Sequence, residues 1–486
     1  MSIHSLNALV KQSGVAFGTS GARGLVADMG DDLCWAYTAA FLQSVAPGAT
    51  CVVLGHDLRP SSPRIAAACA AAVVASGRTF VYAGALPTPA LAFYAAQLGA
   101  PSIVVTGSHI PFDRNGIKFY RADGEISKAD EQAMLAAQVD VPDAVVNAVL
   151  PVPDARASAA YVQRYLDYFG SDALAGAQVA VYEHSSVGRD VLRTILQALG
   201  AQVTSLGRTE TFVPIDTEAV RPEDVAQARL WATQHTFDAL LSTDGDADRP
   251  LIGDECGEWL RGDLVGILCA QALHAQVVVT PVSSNTAVEL CGVFDQVLRT
   301  RIGSPYVIAG MDETLAQMQV AQSSPVGPVV GYEANGGFLL GSDVQQSGRS
   351  LKALPTRDAV LPMLALLVLA RQRGCKLSDL SADLPKRFTA SDRLQNFAID
   401  KSRALLAQLQ GDAVAMAQTL APDSGTVVAT NQTDGLRVSF ANGDIVHLRP
   451  SGNAPELRCY AEAESADRAK VLCDACLANV AAVTRV

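Results

Sequence analysis

The sequence predicts a multidomain α/β protein that ends in a smaller α+β domain. With 486 residues, the chain is too long for one hydrophobic core, because cores stop growing near about 250 to 300 residues. Short β-rich apolar runs alternate with helix-like segments along most of the chain, and this alternation is typical of βαβ units on mixed or parallel sheets. From Leu394 onward the pattern changes, which predicts the α+β domain.

Three regions carry this alternation, and their elements follow one another in a regular order. The first region predicts strands at 51–54, 79–82 and 102–106 and helices at 63–76 and 90–98. The second predicts a strand at 178–182 and a helix at 187–199, and the third a strand at 277–280 and a helix at 285–291. The last part predicts strands at 435–440 and 444–448 and a closing helix from Asp467. Candidate boundaries are a proline-containing connector near 151–157, a glycine-containing turn near 257–262 and the region 378–387.

The composition excludes several classes of protein. Apolar residues make up 49% and charged residues 18% of the chain, which indicates a globular rather than a disordered protein. The net charge of -12 argues against binding to nucleic acid or to an anionic membrane, because both would be repelled. An anionic substrate would therefore need local clusters of arginine and lysine.

The ten cysteines are scattered without the spacing of a disulfide framework, so we expect reduced thiols and a cytoplasmic protein. Cys473 and Cys476 form the one CxxC pair, but no second pair or nearby histidine completes a zinc site, and an ordinary helix is expected there. The N-terminus lacks the pattern of a signal peptide, and the apolar run 359–370 is too short to cross a bilayer.

The segment 105–118 reads VTGSHIPFDRNGIK and follows a predicted strand. Ser108 is therefore expected on an exposed turn at the carboxyl end of that strand, where ligands bind in open α/β sheets. A serine needs a base or a metal ion to act as a nucleophile, and His109 and Lys118 can supply proton transfer or charge. Taken alone, the segment is explained more commonly by a capping serine beside a surface histidine.

The segment 240–249 reads LLSTDGDADR and places Asp244, Asp246 and Asp248 at every second position after an apolar strand. Three carboxylates this close repel one another unless a hard cation such as Mg2+ binds them. An EF-hand loop is excluded, because Arg249 stands where that loop needs glycine and strand-like runs flank the segment. A solvated turn is the remaining structural explanation.

The same segment also resembles the motif of phosphatases that use an aspartate nucleophile. Asp244 or Asp246 would then carry the phosphoryl group, and Ser108 would have no explanation. The residues of this segment alone are compatible both with a metal-binding cluster and with an aspartate nucleophile.

The segment 449–458 reads RPSGNAPELR and has the composition of a phosphate-binding loop. A glycine-containing turn offers backbone N–H groups, Ser451 and Asn453 offer side-chain donors, and arginines at both ends can bind phosphate oxygens in bidentate fashion. A surface turn with ion-paired arginines is at least as common.

Two weaker segments complete the set of candidate sites. The glycine-rich turn 17–24 contains Arg23, which can reach an anion. The segment EANGG at 333–337 follows an apolar run and places Glu333 and Asn335 where sugar hydroxyls can be bound. Ordinary turns explain both segments about as well on local grounds.

Taken together, in this order and spacing, these segments resemble the α-D-phosphohexomutase family, and within it the bacterial phosphomannomutase and phosphoglucomutase branch. The resemblance runs from Phe17 to Glu462. It implies four domains around a central cleft, the first three with related mixed-sheet α/β cores and the last a smaller α+β domain. The implied domains are 1–155 for the phosphoserine, 156–262 for the metal, 263–385 for the sugar and 386–486 for the distal phosphate.

The resemblance also implies a role for each candidate residue. Ser108 would carry the phosphoryl group and, through a phosphoserine oxygen, share Mg2+ with the three aspartates Asp244, Asp246 and Asp248. The residues that would surround the transferred group are Arg23, His109, Lys118 and Arg249, with Lys118 and His109 the better candidates for proton transfer. Glu333 and Asn335 would hold the sugar hydroxyls. The phosphate that is not transferred would rest on Arg449, Ser451, Gly452, Asn453 and Arg458.

The implied activity is the interconversion of hexose 1-phosphate and hexose 6-phosphate through a hexose 1,6-bisphosphate, which also serves as activator. Mannose is placed ahead because the EANGG loop is closer to that of phosphomannomutases, with phosphoglucomutase or phosphoglucosamine mutase as alternatives. A sugar-phosphate phosphatase and a non-catalytic phosphosugar-binding protein are the other hypotheses. The expected partner is a small sugar phosphate, for a monomer or small homo-oligomer.

The chain departs from the commoner family pattern at several positions. Gly107 and Ile110 differ from the usual Thr-Ala-Ser-His-Asn-Pro loop, and Asn453-Ala454 replaces the usual Thr-Glu. In the sugar loop, Asn335 and Gly337 stand where Glu-x-Ser-Gly-His has serine and histidine, which leaves the choice of sugar open. The segment 301–306 resembles a family loop but lacks its usual basic residue after the glycine, so Ser304 and Pro305 receive no role.

Overall fold

The structure is a computed structural model that describes residues 2–18, 21–320, 327–451 and 455–483. The chain divides into two compact units. The larger unit consists of Met1–Gln276 and Gly303–Ser381, and the smaller unit consists of Val277–Ile302 and Ala382–Val486.

The first part of the larger unit is built on a mixed sheet. Its strands are, in spatial order, Ala16–Phe17, Ala22–Leu25, Arg114–Arg121, Ser102–Val105, Cys51–His56 and Thr79–Ala85, with Gly124–Glu125 paired to Arg114–Arg121. The last three strands in this order run parallel, and the others pair antiparallel. Ser2–Ser5 and Gln138–Val141 form a separate antiparallel pair.

The central strands of this sheet are buried on both faces, which explains why their sequences are continuous apolar runs. Val52 and Ile103 on these strands are fully buried and belong to one core cluster with Ile65 and Cys69 of a covering helix. That helix, Ser62–Ala75, has a proline in its first turn, where the missing N–H costs nothing. The helix Lys128–Ala136 begins with a capping box between Ser127 and Asp130.

The rest of the larger unit adds two further groups of strands. A four-stranded sheet has the order Gln202–Leu206, Gln178–Tyr182, Ala239–Thr243, Pro250–Gly253, with only the last strand antiparallel. The strands Val329–Tyr332, Phe338–Leu340 and Leu354–Asp358 pair antiparallel, as do Val344–Gln346 and Arg349–Leu351. The helices of the larger unit are Leu6–Ser13, Asp31–Ser44, Ser62–Ala75, Thr88–Gln97, Lys128–Ala136, Arg156–Phe169, Arg189–Ala198, Pro222–Gln234, Gly262–Ala272, Ser304–Val320 and Val360–Arg373, with a 3-10 helix at Leu377–Ser381.

The smaller unit has a five-stranded antiparallel sheet at its centre. The strand order is Phe388–Leu394, Leu457–Ala463, Ile445–Pro450, Leu436–Phe440, Val427–Asn431. The parallel pair Val277–Pro281 and Gln296–Thr300 also belongs to this unit. Its helices are Ala287–Leu290, Ile399–Leu409, Ala413–Leu420 and Ala466–Val483, with a 3-10 helix at Pro422–Ser424.

The fold class predicted from the sequence is confirmed: the sheets are mixed, helices alternate with strands, and the C-terminal part is α+β. Cys473 and Cys476 lie buried inside the helix Ala466–Val483, which confirms the helix expected there, and all ten cysteines are free thiols. Among the described helices, none has both the length and the hydropathy that crossing a membrane requires.

Candidate active site

Ser108 lies in the turn that follows the strand Ser102–Val105, as the sequence predicts, but the expectation of an exposed turn is wrong. The side chain is fully buried, because the loop that begins at Asp244 packs directly on this turn. A Cβ atom at Gly245 would lie 2.7 Å from the carbonyl oxygen of Ser108. Ser108 also has a positive φ of 52°, a conformation that costs a non-glycine residue about 1 to 2 kcal/mol and persists only when its surroundings impose it.

Two residues that the sequence analysis missed impose this conformation. Arg59 is buried and donates hydrogen bonds to the carbonyl oxygens of Ser108 at 2.9 Å, Ile110 at 2.5 Å, Pro111 at 2.7 Å and Arg114 at 2.9 Å. A guanidinium with five fixed N–H donors suits such a cluster of carbonyls.

Asp57 fixes Arg59 and the start of the same turn. Its Oδ2 accepts from Arg59 Nε at 3.2 Å, from Thr106 Oγ1 at 2.8 Å and from the Gly107 N–H at 3.2 Å. Gly107 has no room for a side chain, because a Cβ there would lie 2.5 Å from Cζ of Arg59. The glycine noted above as a departure from the family loop is therefore required by the position of this guanidinium.

The three aspartates predicted to bind a metal ion form a buried cluster. One carboxylate oxygen from each of Asp244, Asp246 and Asp248 lies within 4.8 Å of the other two. Asp244 Oδ2 accepts a hydrogen bond from Ser108 Oγ at 2.6 Å. Oδ1 of Asp246 and Oδ1 of Asp248 are buried and accept no hydrogen bond from any described residue. Two unsatisfied carboxylate oxygens next to a third carboxylate are suitable ligands for a hard divalent cation.

Two buried cations balance the charge of this cluster. Lys118 Nζ donates to Asp246 Oδ2 at 2.6 Å and to Asp248 Oδ2 at 2.7 Å. Arg357, which the sequence analysis missed, donates to Asp248 Oδ2 from Nη2 at 2.7 Å and from Nε at 3.1 Å. Burial alone would lower the pKa of Lys118, but the two aspartates raise it.

The carboxyl groups respond differently to this environment. Burial, and then the charges of Asp246 and Asp248, raise the pKa of Asp244 well above its usual range. Burial would raise the pKa of Asp248 as well, but Arg357 and Lys118 outweigh it and lower the pKa. The negative charge of Asp244 is therefore the one that the buried lysine and arginines do not compensate, and a bound divalent cation would stabilise it.

His109 lies between Ser108 and Arg249. Its Nδ1 is 3.3 Å from Ser108 Oγ and accepts a hydrogen bond from Arg249 Nη1 at 3.1 Å. Burial, followed by the charge of Arg249, lowers the pKa of His109 to about 3, so the ring is neutral at physiological pH with Nδ1 free of a proton. The nearby carboxylate of Asp216, also missed from sequence, interacts with His109 and Arg249. Burial would raise the pKa of Asp216, but these two neighbours lower it.

Arg23 lies close to the same group of charges. No described residue forms a hydrogen bond or ion pair with its guanidinium. Burial, and then the charges of Arg249 and Arg357, lower the pKa of Arg23 to about 10. Asp246 and Asp248 oppose this change but form no ion pair with Arg23. A cation that is repelled by neighbouring cations and forms no ion pair with the described residues is suited to bind an anionic ligand.

The sugar-loop residues lie on the turn between the strands Val329–Tyr332 and Phe338–Leu340 and belong to the same unit. Glu333 is buried, and its Oε2 accepts from Arg357 Nη1 at 3.1 Å. The Asn335 side chain accepts from the Gly337 N–H at 2.9 Å, while its backbone oxygen accepts from Thr217 Oγ1 at 2.7 Å. Arg357 thus connects Glu333 to the aspartate cluster.

The predicted phosphate loop belongs to the smaller unit. Arg449 and Arg458 are directly opposite each other on neighbouring strands, and Arg393 on the next strand is opposite Arg458. Like charges in such a row are unfavourable unless anions intervene. Glu456 interacts with Arg393 and Arg458, and Asp434 with Arg449 Nε at 2.8 Å. Ser451 is buried, and Gly452 and Asn453 lie outside the described residues.

In the larger unit, the structure therefore brings together eight predicted residues around Ser108: Arg23, His109, Lys118, Asp244, Asp246, Asp248, Arg249 and, through Arg357, Glu333. The arrangement has a buried hydroxyl and a buried carboxylate cluster, together with a neutral imidazole and several cations that are buried or partly buried. It can neutralise and position a phosphoryl group on the serine, which is the main contribution that proteins make to phosphoryl transfer.

Comparison with known protein families gives four matches in chain order, all described as phosphoglucomutase/phosphomannomutase. The alpha/beta/alpha domain I matches residues 14–143, domain II residues 159–257, domain III residues 261–388 and the C-terminal domain residues 394–478. These matches cover most of the chain.

Individual proteins are similar along the whole length. The chain is 45% identical over 480 residues to the phosphomannomutase of Salmonella muenchen, covering 98% of both chains. It is 46% identical over 472 residues to the phosphomannomutase of Sinorhizobium fredii (strain NBRC 101917 / NGR234), covering 94% of this chain and 97% of that protein. A crystal structure of a phosphoglucomutase/phosphomannomutase family protein from Burkholderia thailandensis has the same fold, with a TM-score of 0.73 at 20% identity over 96% of this chain and 97% of that one.

Proposed function

Because the chain belongs to the phosphoglucomutase/phosphomannomutase family, and is therefore a phosphohexomutase, we propose that it interconverts mannose 1-phosphate and mannose 6-phosphate through a phosphorylated Ser108. The observation that supports this proposal most directly is the hydrogen bond of 2.6 Å between Ser108 Oγ and Asp244 Oδ2, inside a carboxylate cluster with two unsatisfied oxygens.

In the proposed reaction, the phosphoryl group leaves Ser108 for the free hydroxyl of the sugar phosphate. The bond between phosphorus and Ser108 Oγ breaks, and a bond between phosphorus and the sugar oxygen forms. The proton of that hydroxyl passes to a nearby base, and His109 is our candidate because its neutral ring has an unprotonated Nδ1 3.3 Å from Ser108 Oγ. Lys118 is held protonated by Asp246 and Asp248, so we assign it to charge neutralisation.

The product of this half-reaction is a hexose 1,6-bisphosphate. It must turn around so that its other phosphoryl group returns to Ser108, and the phosphate-binding site at the far end must accept either phosphate. Arginines and backbone donors meet this requirement, because they bind phosphate oxygens without demanding one sugar stereochemistry. We propose Arg449, Ser451, Gly452, Asn453 and Arg458 for this task, and Glu333 and Asn335 for the sugar hydroxyls. Added hexose 1,6-bisphosphate would act as activator by phosphorylating Ser108.

The cluster Asp244, Asp246 and Asp248 fits a divalent cation by the chemistry of its ligands, and we propose Mg2+. The unsatisfied Oδ1 atoms of Asp246 and Asp248 are the observation in favour. A bound Mg2+ would neutralise charge on the phosphoserine oxygens. Arg249 and Arg23 would add positive charge at the same group from the protein side.

Removal of divalent metal is expected to abolish turnover. After treatment with EDTA, activity should fall below about 1% and return with Mg2+. Asp246→Asn should weaken Mn2+ binding, measured by electron paramagnetic resonance, by about 100-fold or more, because even residues that only orient a metal ligand cost 10- to 100-fold.

Asp190→Asn is a suitable control for this experiment. Asp190 is a half-exposed aspartate of the same unit that is paired with Arg193 and Arg208, and its replacement should leave Mn2+ binding unchanged. Full activity in EDTA, or an Asp246→Asn variant that binds Mn2+ as tightly as the parent, would contradict the assignment of the cluster.

The sugar preference is tested by a coupled assay of mannose 1-phosphate, glucose 1-phosphate and glucosamine 1-phosphate side by side, with Mg2+ and the matching bisphosphate. We expect the highest kcat/KM for mannose 1-phosphate. A higher value for glucose or glucosamine 1-phosphate would assign the chain to another specificity of the family. Release of inorganic phosphate that persists in Ser108→Ala would instead favour a phosphatase that uses Asp244 or Asp246.

We propose four domains with boundaries near 155, 262 and 385 and a monomer or small homo-oligomer as the working form. We also propose a cytoplasmic location, which the ten free thiols support.

A further inference from the structure

Arg357 occupies a position that no sequence motif of the site predicts. It follows Thr356 at the end of the strand Leu354–Asp358, and its side chain is only 2% exposed. One side of the guanidinium contacts Asp248 Oδ2 at 2.7 Å, and the other contacts Glu333 Oε2 at 3.1 Å. It therefore joins a residue of the carboxylate cluster to a residue of the sugar loop.

Gly337 makes room for this arginine. A Cβ atom at position 337 would lie 2.6 Å from Cδ and 2.9 Å from Cγ of Arg357. The backbone of Gly337 does not have a positive φ, so the residue is needed for space and not for its conformational freedom. As noted from the sequence, Gly337 stands where the commoner family loop has histidine. The space beside the glycine backbone, which a side chain would need, is filled here by the stem of Arg357.

We propose that Arg357 is a positioning residue that couples the sugar loop to the carboxylate cluster, and that Gly337 is the small residue that permits it. The inference rests on the proposed function, since it assigns Glu333 to the sugar. By pairing with Glu333, the guanidinium fixes this carboxylate for hydroxyl recognition. By pairing with Asp248 Oδ2, it leaves Oδ1 available and lowers the net negative charge of the cluster.

These two effects predict opposite changes when the arginine is removed. In Arg357→Met, Glu333 loses its partner and its orientation, so KM for the sugar phosphate should rise about tenfold or more while kcat changes less. The cluster loses a neighbouring positive charge, so Mn2+ should bind about 5- to 10-fold more tightly, because the guanidinium of Arg357 no longer repels the cation. A residue that only supported the fold would weaken both interactions together.

Two further variants separate charge from geometry. Arg357→Lys keeps the positive charge but loses the planar fork that reaches both carboxylates, so KM should rise while Mn2+ affinity stays within about twofold. Arg357→Lys also allows the proposal to be tested if Arg357→Met does not fold. Arg164→Met is the matched control, because Arg164 is a buried arginine of the same unit that donates to the Lys352 carbonyl and forms no hydrogen bond with a described site residue. This change should lower the melting temperature and leave KM and Mn2+ affinity unchanged.

A double-mutant cycle tests the link with Gly337. Gly337→Ala should displace Arg357 and raise KM about three- to tenfold in the parent protein. In an Arg357→Ala background the added methyl group meets no arginine stem and only Oδ1 of Asn335, 3.0 Å away, so the same change should raise KM by less than about twofold. The proposal would be overturned by weaker Mn2+ binding in Arg357→Met, by an unchanged KM, or by additive effects in the cycle. Mn2+ affinity is measured without substrate, so it reports on Arg357 whether or not the protein has mutase activity. A lack of mutase activity would overturn the proposed function and can therefore be told apart from a failure of this proposal.

Discussion

Replacing Ser108 with alanine is expected to lower mutase turnover by at least about 10⁴-fold, because the residue that forms the covalent intermediate is removed. Alanine keeps the backbone of the turn and loses one hydroxyl. The hydrogen bond to Asp244 at 2.6 Å is lost with it, but the carboxylate cluster and its buried cations remain. The loss should therefore concern chemistry and not folding.

Three measurements distinguish this expectation from a general loss of structure. Turnover is measured by the coupled assay with saturating bisphosphate. Intact mass spectrometry should detect one added phosphoryl group on the parent protein after incubation with the bisphosphate and none on Ser108→Ala. Mn2+ binding should persist in the variant, because no carboxylate is changed.

The matched control is Ser402→Ala, which removes a fully buried serine hydroxyl that donates to the Ala398 carbonyl, 3.2 Å away at the start of the helix Ile399–Leu409. It should retain full turnover and full phosphorylation. A Ser108→Ala protein that turns over at more than about 1% of the parent rate, or that still takes up a phosphoryl group, would contradict the role of Ser108.

The sequence predicts those parts of the site whose functional groups lie close together in the chain. The carboxylate cluster comes from one stretch of five residues after a buried strand, so Asp244, Asp246 and Asp248 are close together in the sequence as well as in space. The same holds for Ser108 and His109, which are neighbours in the chain. A turn at the end of an apolar strand predicts such groups without knowledge of the tertiary structure.

The sequence does not predict the residues that reach the site from distant positions in the chain. Arg59 reaches carbonyl groups 49 to 55 positions later in the chain, and Arg357 contacts Asp248 across 109 positions. Neither arginine lies in a segment with a recognisable spacing of charged groups. Their importance depends on which backbone oxygens or carboxylates the fold brings within reach, and one sequence does not contain that information.

The burial of Ser108 was missed for the same reason. A serine after a strand is expected at the surface when only its own loop is considered. In the structure, the loop that begins at Asp244 covers it, and that loop belongs to a different sheet. The prediction of position was correct, and the prediction of exposure was wrong because exposure depends on a second sheet.

Arg59→Met is the second change with a large expected effect. Arg59 holds four carbonyl oxygens of the turn that contains Ser108 and is paired with the buried Asp57. Methionine fills much of the same volume but donates no hydrogen bond. Removal of one partner from a buried ion pair typically costs about 3 to 5 kcal/mol, so a marked fall in the free energy of unfolding is expected.

Turnover should fall further than stability alone explains. Without Arg59, the positive φ of Ser108 has lost its main support, and the turn can relax toward a more favourable conformation. A displacement of about 1 Å at the reacting group can cost about 100-fold in rate, so kcat should decrease by about 10² to 10³-fold at temperatures where the variant is still folded. Phosphorylation by the bisphosphate, followed by mass spectrometry over time, should slow by a similar factor.

Arg78 offers a control that isolates this effect. Its guanidinium also donates to backbone carbonyls, those of Ala49 at 2.8 Å and Pro47 at 3.0 Å, but these lie in a loop that does not carry a site residue. Arg78→Met should therefore lower stability and leave the phosphorylation rate of Ser108 unchanged. Equal loss of phosphorylation rate in the two variants, measured at equal fractions of folded protein, would mean that Arg59 only stabilises the domain. A loss confined to Arg59→Met would mean that the reactive conformation of Ser108 depends on a guanidinium that the sequence places far from it.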